Sequence, residues 1–443
     1  MVPRSWGLKQ CHTGFILPGD GMDLSMDKYK TQARPIKVDM PPIFNSQQAS
    51  INSNFFREMS TSDIIQKVAA AEPLTTEDEE FWWQATGISF ATLLDRSGHT
   101  ADQLEYHLSW YRRFIPASLG PKPVAGTKYR FLAGPVWDGS PVEFSLNWKE
   151  KVKSSRLVRF AYGASNSDAG TEADPFGQEE TGRLLRSMSD LIPNFSMRTY
   201  DTLAENLFIK KEAQPALIAN LAPDFPRTQV WTAFDVKSSG LLAKVYFLPF
   251  LKLAETGKQS NDLISSVFSQ CHSDFGSYTE GADTLNSYIS TFSAAPELGP
   301  QLGFFGIDCS DGPGARLKAY MATKANTLNK AKDLFTLGGR ITGPNAEGGL
   351  TALGEFWPIF FGLEGSDDPD DAVVFPSGSG CIACVEVKPG HAIPEVKIHI
   401  PINLGFPLDI KDSEICDRLA KWFRSRGDHD FADTYRSDLQ EAM

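Results

Sequence analysis

The sequence is poor in cysteine and histidine, and it has no long hydrophobic run. It contains 6 Cys and 7 His among 443 residues. So few cysteines in so long a chain do not predict a disulfide framework, which favours a reducing compartment, and we expect a cytoplasmic protein. Nowhere do about 18 consecutive apolar residues occur, so no membrane span is predicted. The first residues, MVPRSWGLKQCHTGF, lack the basic-then-apolar order of a secretion signal.

An excess of positive charge is also lacking. The chain carries 43 Lys and Arg against 55 Asp and Glu, which gives a formal net charge of −12. This balance argues against a general nucleic-acid binder or membrane-surface binder. Hydrophobic residues make up 41% of the chain, enough for a sizeable core. Any cluster of basic side chains must therefore be a local feature.

Nucleotide and metal motifs are absent or incomplete. No G-x-G-x-x-G or G-K-[ST] phosphate loop occurs. The acidic run DDPDD, residues 367–371, matches the D-D-x-x-D magnesium motif. However, Gly365, Ser366 and Pro369 break any helix there, so we interpret it as a solvated loop. CIAC, residues 381–384, is a lone C-x-x-C and predicts packed thiols. We predict no metal site.

The chain divides near residue 75. Residues 1–75 are rich in Pro, Asn, Ser, Gln and Met, and they predict a loosely ordered extension with one short helix at TSDIIQKVAAAE. Residues 76–443 predict one domain that opens with a helix capped by Thr76. Its helices are too few per strand for a Rossmann-like sheet, so the fold class is α+β with a mostly antiparallel sheet. The predicted strands are PVEFSLNW, RLVRFAYG, QVWTAFDVK, LLAKVYFLPF, QLGFFGIDC, ARLKAYMAT, GCIACVEVK and EVKIHIPI.

Five of these strands pair an apolar face with a polar face. Because side chains alternate along a strand, ARLKAYMAT places Arg316, Lys318 and Tyr320 on one side. The other polar faces carry Glu143, Ser145 and Asn147; Arg159 and Ala161; Lys244, Tyr246 and Leu248; and Lys397 and His399.

Two architectures explain this pattern. One is a sheet with its polar face in water. The other is a closed barrel, with helices outside and a polar lumen that can hold a ligand. Tyr and His recur among the polar positions, which favours the barrel. In a lumen, the five bases of these polar faces would have Glu143 as their one counter-charge. The bases are Arg159, Lys244, Arg316, Lys318 and Lys397. Because desolvated like charges repel strongly, the set would need an anion, and a diphosphate suits Arg and Lys.

Six segments together resemble the fungal aromatic (indole) prenyltransferases of the dimethylallyltryptophan synthase type. The similarity runs from about residue 76 to the C-terminus, and it lies in the order and spacing of the segments. It implies the ABBA or PT-barrel fold, in which antiparallel strands surround a polar lumen and helices surround the strands. The segments are FWWQATGISFATLLDRSG, YRRFIPASLGPKP, PVEFSLNW, AKVYFLPFLKL, ARLKAYMATKANTLNKAKDLFTLGGRITGP and PEVKIHIPI.

The resemblance also implies a reaction. Family members move a prenyl group, usually dimethylallyl, from its diphosphate to an electron-rich aromatic ring in secondary metabolism. No metal is required, and dimethylallyl diphosphate is the co-substrate. The partners expected are therefore this diphosphate and a small indole-type acceptor, with no nucleic acid and no membrane, for a monomer or homodimer.

The resemblance assigns roles to individual residues. Glu143 matches the carboxylate that accepts the acceptor's proton, and Tyr246 and Tyr320 match the tyrosines that shield the allylic cation. His399 stands where the family usually has a Tyr, and it could hydrogen-bond a phosphate. The bases that match or adjoin the family's diphosphate ligands are Arg159, Lys244, Arg316, Lys318 and Lys397.

Other positions depart from the family pattern. Leu248 stands where many members have a second Tyr, and Trp231 stands where tryptophan-modifying members have a Lys. Both positions belong to the expected acceptor pocket, and Trp231 argues against free tryptophan as the acceptor. The family continues past the helix that precedes Met443, so we expect a barrel that lacks its last strands. The alternatives are a truncated, inactive relative that only binds ligand, and an enzyme for a phenolic or xanthone acceptor or a longer prenyl donor.

Overall fold

The computed structural model describes most of the chain beyond residue 58. The described residues are 59–124, 141–149, 152–222, 225, 227–238, 240–366, 368–373, 375, 380–401 and 410–442. The first 58 residues of the predicted extension, and Asp367 of the DDPDD run, lie outside them.

In the described part of the chain, eight strands form one antiparallel sheet in which each strand pairs with its neighbour in sequence. Each of the eight predicted strand segments forms one of them, and the α+β class is confirmed. The strands are β1 Val142–Lys149, β2 Val152–Tyr162, β3 Val230–Lys237, β4 Gly240–Phe247, β5 Gln301–Asp308, β6 Leu317–Ala322, β7 Ile382–Val387 and β8 Glu395–His399.

Among the residues that the structure describes, thirteen α-helices accompany the sheet. The second helix begins as predicted, because the side chain of Thr76 accepts a hydrogen bond from the Glu79 backbone N–H and acidic residues fill the first turn. The helices are α1 Thr61–Ala71, α2 Glu77–Arg96, α3 Ala101–Phe114, α4 Glu179–Ser187, α5 Arg198–Leu207, α6 Gln214–Asn220, α7 Phe250–Thr256, α8 Ser260–Gln270, α9 Thr279–Ile289, α10 Leu328–Phe335, α11 Pro344–Phe361, α12 Asp412–Ser425 and α13 His429–Ala442.

The apolar face of the sheet packs against the helices. On β4, Ala243, Val245 and Phe247 are fully buried, while the residues between them point to the opposite face. Helices α4, α5, α8, α9 and α10 contact β3, β4, β5, β7 and β8 respectively. Because the helices cover the apolar side, the polar side of every strand faces inward, as expected for a lumen.

The helical layer continues between the two edge strands. Helix α12 packs on α11 and α13, and α13 packs on α2. Trp148 on β1 donates its Nε1–H to Asp428 between α12 and α13, with an N···O distance of 2.5 Å, and its ring lies 5.1 Å from that of Phe423. Within the described residues no strand pairing joins β1 to β8, so the sheet is an open half-barrel.

Helix α1 belongs to the packed body, although it lies in the predicted extension. Ile64 and Val68 are 1% exposed and join the main core. Arg112 of α3 donates its Nε–H to the backbone oxygen of Glu72, which follows α1. Residues 61–72 therefore pack with the helices that follow residue 75.

The described residues of the DDPDD motif lie in an irregular segment, and the C-x-x-C motif lies at the start of β7. Asp368 and Asp370 of the acidic run are exposed and outside any helix. In the C-x-x-C, burial raises the pKa of both Cys381 and Cys384 to about 12, so both thiols stay protonated. Among the described helices, none has the length and apolar character needed to cross a membrane.

The core position of α1 can be tested with two matched substitutions. Ile64→Ala removes a buried side chain, so the free energy of unfolding should fall by about 2–5 kcal/mol. Ile88→Ala on α2 is the control, because Ile88 is 50% exposed, and its effect should stay within about 0.5 kcal/mol. Denaturant unfolding measures both. If α1 were part of a loose extension, the two variants would unfold alike.

Candidate active site

The five predicted bases meet on the inner face of the half-barrel. The exposed fractions of their side chains range from 3% for Lys318 and 6% for Lys244 to 23% for Arg159. Those of Arg316 and Lys397 are 21% and 18%. Surface lysines and arginines are normally far more exposed. The structure therefore places all five bases in one enclosed region rather than on a solvated face.

The expectation that Glu143 is their one counter-charge is wrong. Three further carboxylates, Asp235, Asp308 and Glu386, lie on the same inner face and are only 4% exposed. They sit on β3, β5 and β7, whose sequences are apolar at most positions. We call these three acids and the five bases the charged belt.

Each acid of the belt joins bases on neighbouring strands. Asp235 lies 2.9 Å from Arg159 Nε and 2.5 Å from Lys244 Nζ. Asp308 lies 2.7 Å from Arg316 Nε and 2.8 Å from Lys318 Nζ. Glu386 lies 3.3 Å from Arg316 Nη1 and 2.5 Å from Lys397 Nζ. Every base of the belt therefore has a carboxylate partner.

The signs of charge alternate around the half-barrel. The bases lie on β2, on β4, at and just before the start of β6, and on β8, whereas the acids lie on β3, β5 and β7. Glu143, on β1, extends the alternation. A signal was present in the sequence, because VWTAFDVK, QLGFFGID and IACVEV each carry one acid near the end of an apolar run.

The belt shifts the pKa values of its members. Burial alone raises the pKa of Asp308, but Lys318 and Arg316 outweigh burial and hold it well below its usual range. The same balance, with Lys318 and Arg316 as the strongest partners, keeps the pKa of Glu386 low. Burial lowers the pKa of Lys244 to about 7, although Asp235 opposes this shift. The acids are thus ionised, and the belt carries five bases against three carboxylates.

Glu143 faces the lumen apart from the belt. Burial raises the pKa of its carboxyl to about 7, and no other cause is resolved. A carboxyl with this pKa can accept and release a proton near neutral pH. The sequence predicted this position, but not that the environment makes it a stronger base than an ordinary glutamate.

A row of small residues separates Glu143 from the belt. Glu143 pairs with Ala161, Ala161 with Ala233, and Ala233 with Lys244. Three strand spacings of about 4.8 Å separate Glu143 from Lys244 along the sheet, roughly 14 Å. Because the side chains of Ala161 and Ala233 are short, they leave space over the sheet between Glu143 and Lys244. A flat ligand could lie there.

An aromatic cluster adjoins the belt on β4, β5 and β6. The rings of Tyr246 and Tyr320 meet edge to face with centroids 5.8 Å apart, and Phe304 stacks on Tyr320 at 4.2 Å. Trp231 contacts Phe304 at 5.8 Å. Sequence reasoning missed Phe304, although it alternates with Gly306 and Asp308 on the inner face of β5.

Gly306 lets the two tyrosine rings come together. A Cβ atom at this position would lie 3.1 Å from the ring of Tyr320 and 3.2 Å from that of Tyr246. Both contacts are tighter than side chains normally make, so any larger residue would push the rings apart. The pairing of Gly306 with Tyr246 and Lys318 places this gap directly beside the belt.

The remaining predicted residues differ in their placement. His399 lies on the inner end of β8, 5.8 Å from the Tyr320 ring, and burial followed by Lys397 lowers its pKa to about 4. It is therefore neutral at pH 7 and adds no charge. Trp231 joins the aromatic cluster, and its buried Nε1–H has no hydrogen-bond partner among the described residues. Leu248 follows the end of β4 and is 5% exposed. Its place in an acceptor pocket stays a prediction.

The fold is that of known aromatic prenyltransferases. AnaPT from Neosartorya fischeri superposes with a TM-score of 0.71 at 22% identity, covering 85% of this chain and 88% of that one. NotF, solved in complex with brevianamide F and DMSPP, superposes with a TM-score of 0.69 at 23% identity, covering 85% and 89%. The antiparallel strands inside a layer of helices thus form the ABBA architecture.

Sequence comparison then gives the family. Residues 78–438 match the family model described as "Tryptophan dimethylallyltransferase". Prenyltransferase iacE of Pestalotiopsis fici is 36% identical over 374 residues, which cover 83% of this chain and 84% of iacE. Tryptophan dimethylallyltransferase 1 of Claviceps purpurea is 27% identical, covering 83% and 82%. The chain belongs to the tryptophan dimethylallyltransferase family and is a prenyltransferase.

The buried state of the belt can be tested by removing one base. Lys318→Met leaves Asp308 with Arg316 as its remaining belt partner, and we expect the free energy of unfolding to fall by about 3 kcal/mol, the low end for breaking a buried pair. Lys421→Met is the matched control. Its ion pair with Glu364 is 56% and 45% exposed, so its loss should cost at most about 1 kcal/mol. Equal small effects in denaturant unfolding would contradict a buried network.

Proposed function

We propose that this prenyltransferase moves a dimethylallyl group from dimethylallyl diphosphate to an indole-type aromatic acceptor, without a metal ion. The observation that carries the proposal is the set of five enclosed bases beside an aromatic cluster and a proton-accepting carboxylate. The names of family members support the acceptor class. They include tryptophan dimethylallyltransferase 1 and the indole diterpene prenyltransferase janD of Penicillium janthinellum, which is 26% identical.

The bases serve the departure of the diphosphate. Arg316 and Lys318 of the β6 region, with Lys244 two strands away on β4, present N–H donors that can bind phosphate oxygens. When the bond between the allylic carbon and oxygen breaks, its electron pair goes to the diphosphate, and the fixed bases stabilise the added charge without having to reorganise. These side chains supply the charge stabilisation that a metal ion supplies in other prenyl diphosphate enzymes.

The aromatic cluster serves the carbocation. The faces and edges of Tyr246, Tyr320 and Phe304 lie next to the belt, where the allylic cation would form. Aromatic faces attract a cation and occupy the space that water would otherwise fill. Burial raises the pKa of both tyrosines above its ordinary value, so they remain neutral phenols.

Glu143 completes the reaction. An aromatic carbon of the acceptor attacks the cation, and the resulting arenium ion returns to aromaticity when a proton leaves. The acceptor would lie over Ala161 and Ala233, between Glu143 and the belt. For the attack, the acceptor carbon has only to lie close to the allylic cation. The carboxylate of Glu143 then takes the proton from the arenium ion.

Trp231 narrows the acceptor within this class. The family resemblance places it where tryptophan-modifying members carry a Lys, and its ring joins the aromatic cluster on the inner face of the sheet. We therefore propose an indole other than free tryptophan. Phenolic acceptors belong in the same assay, since they require the same carbocation chemistry.

The transfer is tested directly with the purified protein. Incubation with dimethylallyl diphosphate, a panel of substituted indoles and phenols, and EDTA should give a prenylated indole detectable by mass spectrometry. Glu143→Gln should reduce turnover by about 10²-fold or more, the usual contribution of a general base, while inorganic diphosphate still binds. Glu414→Gln, on the exposed face of α12, should retain full turnover. Binding of diphosphate with no product from any acceptor would favour an inactive, ligand-binding relative.

The pH dependence follows from two opposed pKa shifts. Glu143 must be ionised to accept a proton, so kcat/KM should rise with pH through about 7. Lys244 must be protonated to hold a phosphate, so kcat/KM should fall above a pKa also lowered to about 7. The profile should be a narrow bell, because kcat/KM reports the free enzyme. Glu143→Gln should remove the rising limb, and a rising limb that persists in this variant would contradict the assignment.

A further inference from the structure

The three acids of the charged belt need an explanation that the proposed reaction does not give. Carboxylates beside an anion-binding site repel the ligand and so weaken its binding. Here Asp235, Asp308 and Glu386 lie among the bases, at 2.5–3.3 Å from them. All three carboxylates are ionised at neutral pH, because the neighbouring bases hold their pKa values below the ordinary ones.

The first consequence of this arrangement is that the basic side chains are ordered even when no ligand is bound. Each acid reaches across to bases on adjacent strands, so it fixes the tips of long, flexible side chains that would otherwise repel one another. A lysine bound to one carboxylate still has N–H donors free for a phosphate oxygen, and an arginine has more. The bases can thus be held in place and still bind a diphosphate.

The second consequence concerns the product. Ionisation of a prenyl diphosphate leaves one more negative charge on the diphosphate than the ester carried. A purely cationic site would therefore hold the product more tightly than the substrate. With three carboxylates against five bases, the belt has a net charge of +2 instead of +5 when Lys244 is protonated, and each acid repels the bound product.

We infer that Asp235, Asp308 and Glu386 are positioning residues that act through the diphosphate-binding bases, lowering the affinity of these bases for inorganic diphosphate and so speeding its release. This inference rests on the proposed function, because it takes the belt as the diphosphate site. It assigns the acids no contact with the reacting atoms.

Glu386→Gln gives the clearest test. The substitution removes one negative charge at nearly constant shape. Arg316 keeps its bonds to Asp308, and Lys397 is 18% exposed, so the fold should tolerate the change. Calorimetric titration with inorganic diphosphate should show a dissociation constant at least about tenfold lower than that of the wild type, because a like charge has been removed.

Kinetics separate this role from a merely structural one. In Glu386→Gln the steady-state kcat should fall several-fold, and inhibition by added inorganic diphosphate should strengthen. The single-turnover rate with excess enzyme should fall by less than the steady-state kcat does, since chemistry precedes release. Glu364→Gln, which alters a surface Lys–Glu pair, is the matched control and should match the wild type in all three measurements.

The outcomes are distinguishable. Unchanged or weaker diphosphate binding by a folded Glu386→Gln overturns this inference and leaves the proposed function intact. Absence of diphosphate binding by the wild-type protein overturns both. If Glu386→Gln fails to fold, as judged by circular dichroism, Asp235→Asn is measured in the same way and its result decides between the same two conclusions.

Discussion

The structure depends on the mutual repulsion of like charges in an enclosed space. Two unit charges about 4 Å apart interact by about 4 kcal/mol at an effective dielectric constant of 20, and the belt gathers five bases on one face of a single sheet. Such a set exists only where charges of the opposite sign are placed among them. The alternation of bases on even strands with acids on odd strands is that arrangement, and it leaves a small positive excess for an anionic ligand.

The fold makes this placement possible. In an antiparallel sheet, neighbouring residues of one strand face opposite sides, so a strand can bury valine and phenylalanine outward while directing lysine or aspartate inward. On β4, Lys244 lies between Ala243 and Val245, and both neighbours are fully buried against helices. The outer helices thus provide most of the hydrophobic stabilisation, while the inner face is left available for chemistry.

Much of the strand arrangement, and several of the inward-facing bases, could be predicted from local sequence patterns. Strict alternation in ARLKAYMAT and EVKIHIPI placed Arg316, Lys318 and Lys397 correctly, because the period of two needs no tertiary information. Asp235, Asp308 and Glu386 were not predicted as inward-facing groups. Each is a single acid near the end of a mostly apolar strand, where a charged residue is also expected if the strand simply ends there. Pairing across strands decides their role, and register is a tertiary property. Likewise, the packing of α1 depends on partners in α3 that periodicity within α1 cannot reveal.

The pKa of Glu143 illustrates a second limit. Its position follows from sequence alternation, but the upward shift arises from desolvation by surrounding strands and is invisible in the segment PVEFSLNW. The same holds for His399, whose neutral state follows from burial and from Lys397 rather than from its own strand. Residue type and spacing therefore indicate which groups face the lumen, whereas the charge that each group carries depends on the assembled barrel.

The most direct test of the central claim is a crystal structure of the protein soaked with inorganic diphosphate. The account predicts density for both phosphate groups inside the half-barrel, with oxygens at hydrogen-bond distance from Arg316, Lys318 and Lys244 while the carboxylates of the belt keep their places. Diphosphate bound elsewhere on the protein, or those three bases turned out of the lumen into solvent, would contradict it.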